Sequence, residues 1–262
     1  MTSWAEETRR IRARLEASRS EAPRPPFSHA DLVGLPPPVQ RYLKMALVPG
    51  QPMVAAVTMS HEGTFNTSVT GESWRKFSSS ERVVTSRPGF DWDARIAMLP
   101  GVTVRVHDAY LNGEGLLHAS LFGMFDMENS HDTSGRLALG ELMRFLAEAA
   151  WYPTALLPRE GVRWLAVDET SARARLTDGN LSVMLLFRFN DTGTIASVRA
   201  DARPRTINGV TAPTPWEGLW WQEERRDGML VPISGEVAWL LPEGRLPYWR
   251  GRITDLRYEW AK

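Results

Sequence analysis

Acid–base and ion-pair chemistry is written most densely in PGFDWDARIAMLPG, residues 88–101. Read as a strand, this segment puts Phe90, Trp92, Ala94 and Ile96 on one face and Asp91, Asp93 and Arg95 on the other. Asp93 and Arg95 are then same-face neighbours. They form either a surface ion pair, which contributes little, or a charged pair inside a curved sheet. In the second case Arg95 would orient an oxyanion or carboxylate, and Asp93 would act as a base or hold the arginine in place. Trp92 falls on the opposite face, so a regular strand cannot bring all three to one cavity. His61 shares a face with Met53, Val57, Met59 and Phe65 by the same alternation. It is either a hydrogen-bonded core histidine or, if it opens into a cavity, the best general acid–base candidate, since its intrinsic pKa of about 6.5 is nearest neutrality.

A second charged set, Glu141, Arg144 and Glu148, recurs at i, i+3 and i+7. Its plain explanation is intrahelical pairing on an exposed face. The apolar, proline-stiffened AWYPTALLP that follows, with Trp151 and Tyr152, offers another: the stripe covers one end of a sheet and meets a ligand. The third set is aromatic. Trp216 to Trp221, then Glu236 with Trp239, then Tyr248, Trp249 and Arg250 place tryptophan beside Glu or Arg in three separate late segments. Core packing and cation–π contacts account for each singly. Together they also suit a cavity with apolar walls and a few placed charges.

Other chemistry is excluded or unsupported. With no cysteine, thiol nucleophiles, disulfides and Cys-ligated metals are impossible. No dinucleotide, Walker, nucleophile-elbow or zinc-protease motif occurs. The five histidines lack helical metal-site spacing, so no metal and no cofactor are expected. Lys plus Arg (31) equals Asp plus Glu (31), which disfavours nucleic acid as a partner. The charged N-terminal segment has no apolar signal core, and no apolar run is long enough to span a bilayer, so a cytoplasmic location is expected.

The elements that must position these residues follow from periodicity. Residues 3–20 read as a helix with a Ser3/Glu6 capping box and a thin apolar stripe of Trp4, Ile11 and Leu15. It is expected to be an exposed or loosely docked arm, with residues 21–26 as a stiff linker, so residues 1–26 stand apart from a single domain over 27–262. A second helix starts near Leu35, and a long one carries Leu139, Leu142, Met143, Leu146 and Ala150 on its apolar face. From Pro52 the period is two. Asn112–Gly113, Asp178–Gly179, Asn208–Gly209, Asp227–Gly228 and Glu243–Gly244 mark turns, giving about ten or eleven strands. The expected fold is mainly β (α+β): a strongly curved antiparallel sheet or half-open β-barrel with one long inserted helix and N-terminal helices.

LPPPVQRYL, PGFDWDARIAMLPG, GELMRFLAEAAWYPTALLP and PYWRGRITDLRY, in this order, resemble a bacterial family of uncharacterised hypothetical proteins, a domain of unknown function. The resemblance spans residues 35–258 and implies a single domain but no activity. The strand count with one inserted helix is also similar to the half-open barrels of bacterial lipoprotein carriers, which wrap a curved sheet around a helix and hold acyl chains. That likeness concerns architecture, which does not fix function.

Two functions are compatible with these patterns. The first is binding of an apolar or amphiphilic small molecule, with Trp92, Trp151, Tyr152, Trp239, Tyr248 and Trp249 as walls and Arg95 or Arg144 at a polar head. The second is a cofactor-independent acid–base enzyme (hydrolase, isomerase or cyclase) on a similar substrate, using Asp93 and His61 with Glu141 in reserve. A partner-binding role would rest on the N-terminal arm.

Overall fold

The computed structural model describes residues 3–20, 22–132, 135–207 and 209–262. Glu21, which opens the expected linker, and Asn208 of the expected Asn-Gly turn lie outside them. The described strands form one thirteen-stranded sheet, antiparallel throughout. In chain order they are β1 (Val54–Asn66), β2 (Trp74–Val84), β3 (Gly89–Leu99), β4 (Val102–Leu111), β5 (Glu114–Leu121), β6 (Phe125–Asp132), β7 (Val162–Asp168), β8 (Ser171–Asp178), β9 (Leu181–Phe189), β10 (Ile195–Ile207), β11 (Val210–Arg226), β12 (Met229–Leu241) and β13 (Gly244–Trp260). The spatial order is β6-β5-β4-β3-β2-β1-β13-β12-β11-β10-β9-β8-β7, so the first and last strands meet at the centre and the sheet stays unclosed.

The strand count exceeds the expectation. β6 (FDMENSHD) is polar and largely exposed, and β7 is exposed over most of its length, so neither shows the alternation that marks a half-buried strand. The turn chemistry is as expected at Asn112–Gly113 and Asp227–Gly228, where both residues have positive φ, as a two-residue hairpin turn requires.

Among the described residues three α-helices pack on this sheet: α1 (Trp4–Ala17), α2 (Pro37–Ala46) and α3 (Arg136–Glu148). On the concave face, α2, α3 and the short turns over residues 149–160 cover the main core, which includes Met53, Val57, Phe90, Leu142, Leu146, Trp151 and Phe187. Leu139 and Met143 are half-buried at its margin. Among the described residues no helix is long and apolar enough to cross a membrane.

The exposed or loosely docked arm is corrected. Trp4, Ile11 and Leu15 are all buried, and α1 lies on the convex face. Ile11 and Leu15 join Ala56, Val84, Ala109, Leu111 and Leu116 in a second, smaller core. Gly89 lets the helix approach this seat closely. A Cβ on Gly89 would come within 2.6 Å of Leu15 Cδ1. Polar grips flank it: Arg12 pairs with Asp91 at 2.8 Å, and Arg82 with Glu16 at 2.6 Å. The Ser3/Glu6 capping box forms as expected.

Candidate functional site

The curvature gathers indoles from distant strands around a cavity of about 150 Å³ on the concave face. Its wall comprises Trp92 on β3, Arg144 and Glu148 on α3, Trp151 after it, Arg203 on β10, Trp216 and Trp220 on β11, and Tyr248 and Trp249 on β13. A volume of that size far exceeds the roughly 10–15 Å³ that one water needs, and matches apolar cavities that take a benzene ring.

Glycines make the room. Gly63, Gly251 and Gly235 are cross-strand neighbours on β1, β13 and β12, and Gly235 faces Trp220 on β11. A Cβ on Gly251 would lie 2.2 Å from Trp249 Cζ2, and one on Gly235 would lie 2.5 Å from Trp220 Cζ3. At Gly251 and Gly235 the indoles occupy the space that a side chain would take, and at Gly63 the backbone of β13 does, which is why glycine stands in these strand interiors. A register shift between β12 and β13 falls at Val237/Ala238, opposite Trp249 and Pro247. It leaves Tyr248 as the extra residue, so neighbours Tyr248 and Trp249 both reach the cavity, which a regular strand forbids.

The charged groups form one buried network. Arg144 donates from Nε to Glu148 (2.7 Å), from Nη1 to Asp108 (2.8 Å) and from Nη2 to Glu81 (3.4 Å). Its guanidinium stands over Phe90 and Trp92, 4.7 and 5.1 Å from the ring centroids. Arg203 donates from Nη1 to Tyr248 Oη at 3.0 Å, and its Nη2 lies 3.5 Å from Glu141. Trp216 Nε1 donates to the same Tyr248 oxygen at 2.8 Å. Burial drives the Glu81 carboxyl well above the ordinary carboxylate range, and Glu148 adds to the effect despite Arg144. Burial and then Asp108 act likewise on Glu141. The carboxyls of Glu81, Asp108, Glu141 and Glu148 thus crowd the two guanidiniums of Arg144 and Arg203. His61 is pushed down to about 3 by burial and by Arg144, so its imidazole is neutral. Its Nδ1 is 3.2 Å from Ser79 Oγ and 4.0 Å from Glu81 Oε2, and its ring packs 5.1 Å from that of Trp151.

Of the residues singled out in the sequence, Trp92, Arg144, Trp151, Tyr248 and Trp249 meet at this cavity. Trp239 stands behind it, stacked on Tyr248 at 5.7 Å. Tyr152 is fully buried in the core, and its hydroxyl donates to Phe145 O at 2.8 Å. Glu141 is buried against Arg203, so the exposed-face explanation of the Glu141/Arg144/Glu148 stripe does not hold. α3 is enclosed by the sheet, and its charges pair with strand residues as well as with each other.

Two expectations are corrected by the direction of curvature. Arg95 is exposed on the convex face, away from the cavity. Asp93 lies on that same face beneath α1, where it accepts from Trp4 Nε1 (3.0 Å) and Thr8 Oγ1 (3.1 Å). The sheet thus separates Asp93 from His61, and the proton-transfer pair is not formed. Alternation within β3 had already put Trp92 and Asp93 on opposite faces.

Glu81, Asp108 and Arg203 were not singled out in the sequence. Glu81 had a signal: alternation in β2 places it with Phe77 and Val83, an acid on an apolar face. Asp108 follows Val104 and Val106 on their face of β4. Arg203 had none, because the register shifts between Ala200 and Arg203 and alternation fails there.

The chain belongs to a family of unknown function, DUF6920, whose sequence model matches residues 33–258. Among solved structures it is similar to a LolA superfamily protein from Nitrosomonas europaea, at 11% identity over 95% of this chain and 93% of that one, with a TM-score of 0.38. It is also similar to a beta-barrel-like protein of a domain of unknown function, DUF1849, from Brucella abortus, at 10% identity over 79% of this chain and 99% of that one, with a TM-score of 0.27. No curated protein matches the chain.

Proposed function

For this member of a family of unknown function, we propose binding of an apolar or amphiphilic small molecule in the aromatic cavity of the concave face. The observation that carries the reading is the cavity itself: about 150 Å³ walled chiefly by Trp92, Trp151, Trp216, Trp220, Tyr248 and Trp249, with the Arg144 and Arg203 guanidiniums at its edge. A filled core would close such a space, because interiors pack at crystal-like density and voids of this size cost stability. Specific small-molecule sites combine apolar walls with a few fixed polar groups in this way. The volume favours a single ring or a short alkyl body over a long chain.

Organic extraction of the purified protein followed by mass spectrometry tests the reading. A recurring apolar species in roughly stoichiometric amount is the expected result. The reading fails if nothing copurifies and no added ring-sized hydrocarbon perturbs the indole resonances of the cavity tryptophans.

A further inference from the structure

Exposed apolar side chains crowd two adjacent turns at one end of the sheet. Leu99 closes β3, and Phe122, Met124, Phe125 and Met127 cluster at the end of the β5–β6 hairpin. All are 41–65% exposed. The two turns are tied together, since Phe122 N–H donates to Thr103 O of β4 at 2.9 Å. The β5–β6 turn is built against local preference. Phe122 and Gly123 have φ of 56° and 70°, and Met124 N–H donates to Leu121 O at 3.1 Å across them. In the turns after β4 and β11 the same first position holds Asn112 and Asp227, the residue types this backbone favours. A bulky residue with positive φ is strained, so the fold keeps a phenyl ring on its surface where asparagine would sit more easily. Behind the turns, Arg95 on β3 and Arg105 on β4 stand directly opposite each other. Like charges so placed repel, and neither forms an ion pair among the described residues. Arg105 lies over the Trp4 ring of α1, on the convex face with Arg95.

We propose that this end of the sheet docks on an anionic phospholipid surface, with Leu99, Phe122, Met124, Phe125 and Met127 entering the interface and Arg95 and Arg105 meeting lipid phosphates. Contiguous exposed apolar side chains mark interaction sites. Apolar insertion joined to basic residues is the combination that holds proteins on anionic lipid. The apolar groups project from turns instead of lining a groove, which suits a fluid surface without a fixed shape. Arg95 stands four residues before Leu99, roughly 13 Å along the strand, and an extended arginine side chain reaches back toward the headgroups. A second copy of the chain suits the patch less well. Symmetric pairing there would bring four unpaired arginines together. Strand addition at the β6 edge is blunted by a bulge, since Ala119 pairs with Glu128 and Ser120 with Asp126, leaving Met127 as the extra residue between two carboxylates. Docking here does not depend on the concave cavity being a ligand site.

The test is co-sedimentation of the full chain with phosphatidylcholine vesicles, with and without phosphatidylglycerol, at low and high salt. Binding to the phosphatidylglycerol vesicles that weakens as salt rises is the expected result. Phe122→Asn gives the turn a residue its backbone favours, so the denaturation midpoint should hold or rise. The same variant should weaken vesicle binding at least about fivefold through the lost apolar insertion. Phe125→Ser repeats the test away from the turn, on an exposed strand position. Arg95→Gln should weaken binding to anionic vesicles about fivefold, the contribution of one basic residue near such a surface. No binding to anionic vesicles, equal binding to both vesicle types, or binding untouched by both phenylalanine variants overturns the proposal. So does a dimer in analytical ultracentrifugation that Phe122→Asn or Phe125→Ser dissolves, which would assign the patch to a second copy.

Discussion

Glu81→Gln separates a buried carboxylic acid from a buried carboxylate. Glu81 is fully buried, and its carboxyl is held well above its ordinary value of 4.5 by burial and then by Glu148. Above that value the unfolded chain releases the proton and the folded chain keeps it. The folded state then binds one more proton, so unfolding free energy falls by about 1.4 kcal/mol per pH unit until the folded carboxyl ionises. Glutamine mimics the protonated acid in shape, keeps an oxygen for Arg144 Nη2, and does not titrate. Glu141 contributes a similar slope to both proteins and cancels. The variant should therefore gain on the wild type by about 1.4 kcal/mol per pH unit as pH rises from 5, with the difference shrinking as pH falls toward 4.5. Urea denaturation followed by tryptophan emission at several pH values measures it. Parallel stability curves over that range would falsify the claim that Glu81 is a proton-holding acid in the folded protein.

Further outcomes follow from the packing. Arg144→Met should cost about 3–5 kcal/mol, because it removes the buried cation that Glu81, Asp108 and Glu148 all meet; a loss under about 1 kcal/mol in denaturant melts would mean the network is not tightly coupled. Leu15→Ala should cost about 2–5 kcal/mol as a buried truncation, whereas an undocked α1 would leave the denaturation midpoint unmoved. Gly235→Ala drives a methyl into the Trp220 ring. It should cost about 1–3 kcal/mol as overpacking and change the near-ultraviolet circular dichroism, and an unchanged spectrum would show that the indole has spare room.

Much of this architecture is legible in the sequence because its signals are local. The Ser3/Glu6 cap, the Asn112–Gly113 turn and the shared face of Met53, Val57, Met59 and His61 each depend on dihedral preferences within a few residues. The site is less legible. Glu81 announces itself only as an acid on an apolar face, Arg203 is hidden by an irregular register, and Tyr248 reaches the cavity only through a bulge. The row of Gly63, Gly251 and Gly235 carries meaning only once three strands are aligned.

The sequence by itself determined that Trp92 and the Asp93–Arg95 pair lie on opposite sides of one strand, since alternation is a property of the extended backbone. It could not determine which side is inside. That depends on the curvature accumulated over thirteen strands and on which helix covers which face. Only the tertiary structure decided it. α3 fills the concave side, bringing Arg144 to Trp92. α1 seals Asp93 on the convex side. The candidate site is therefore the tryptophan side, and Asp93, the acid read from the same strand, serves to dock a helix.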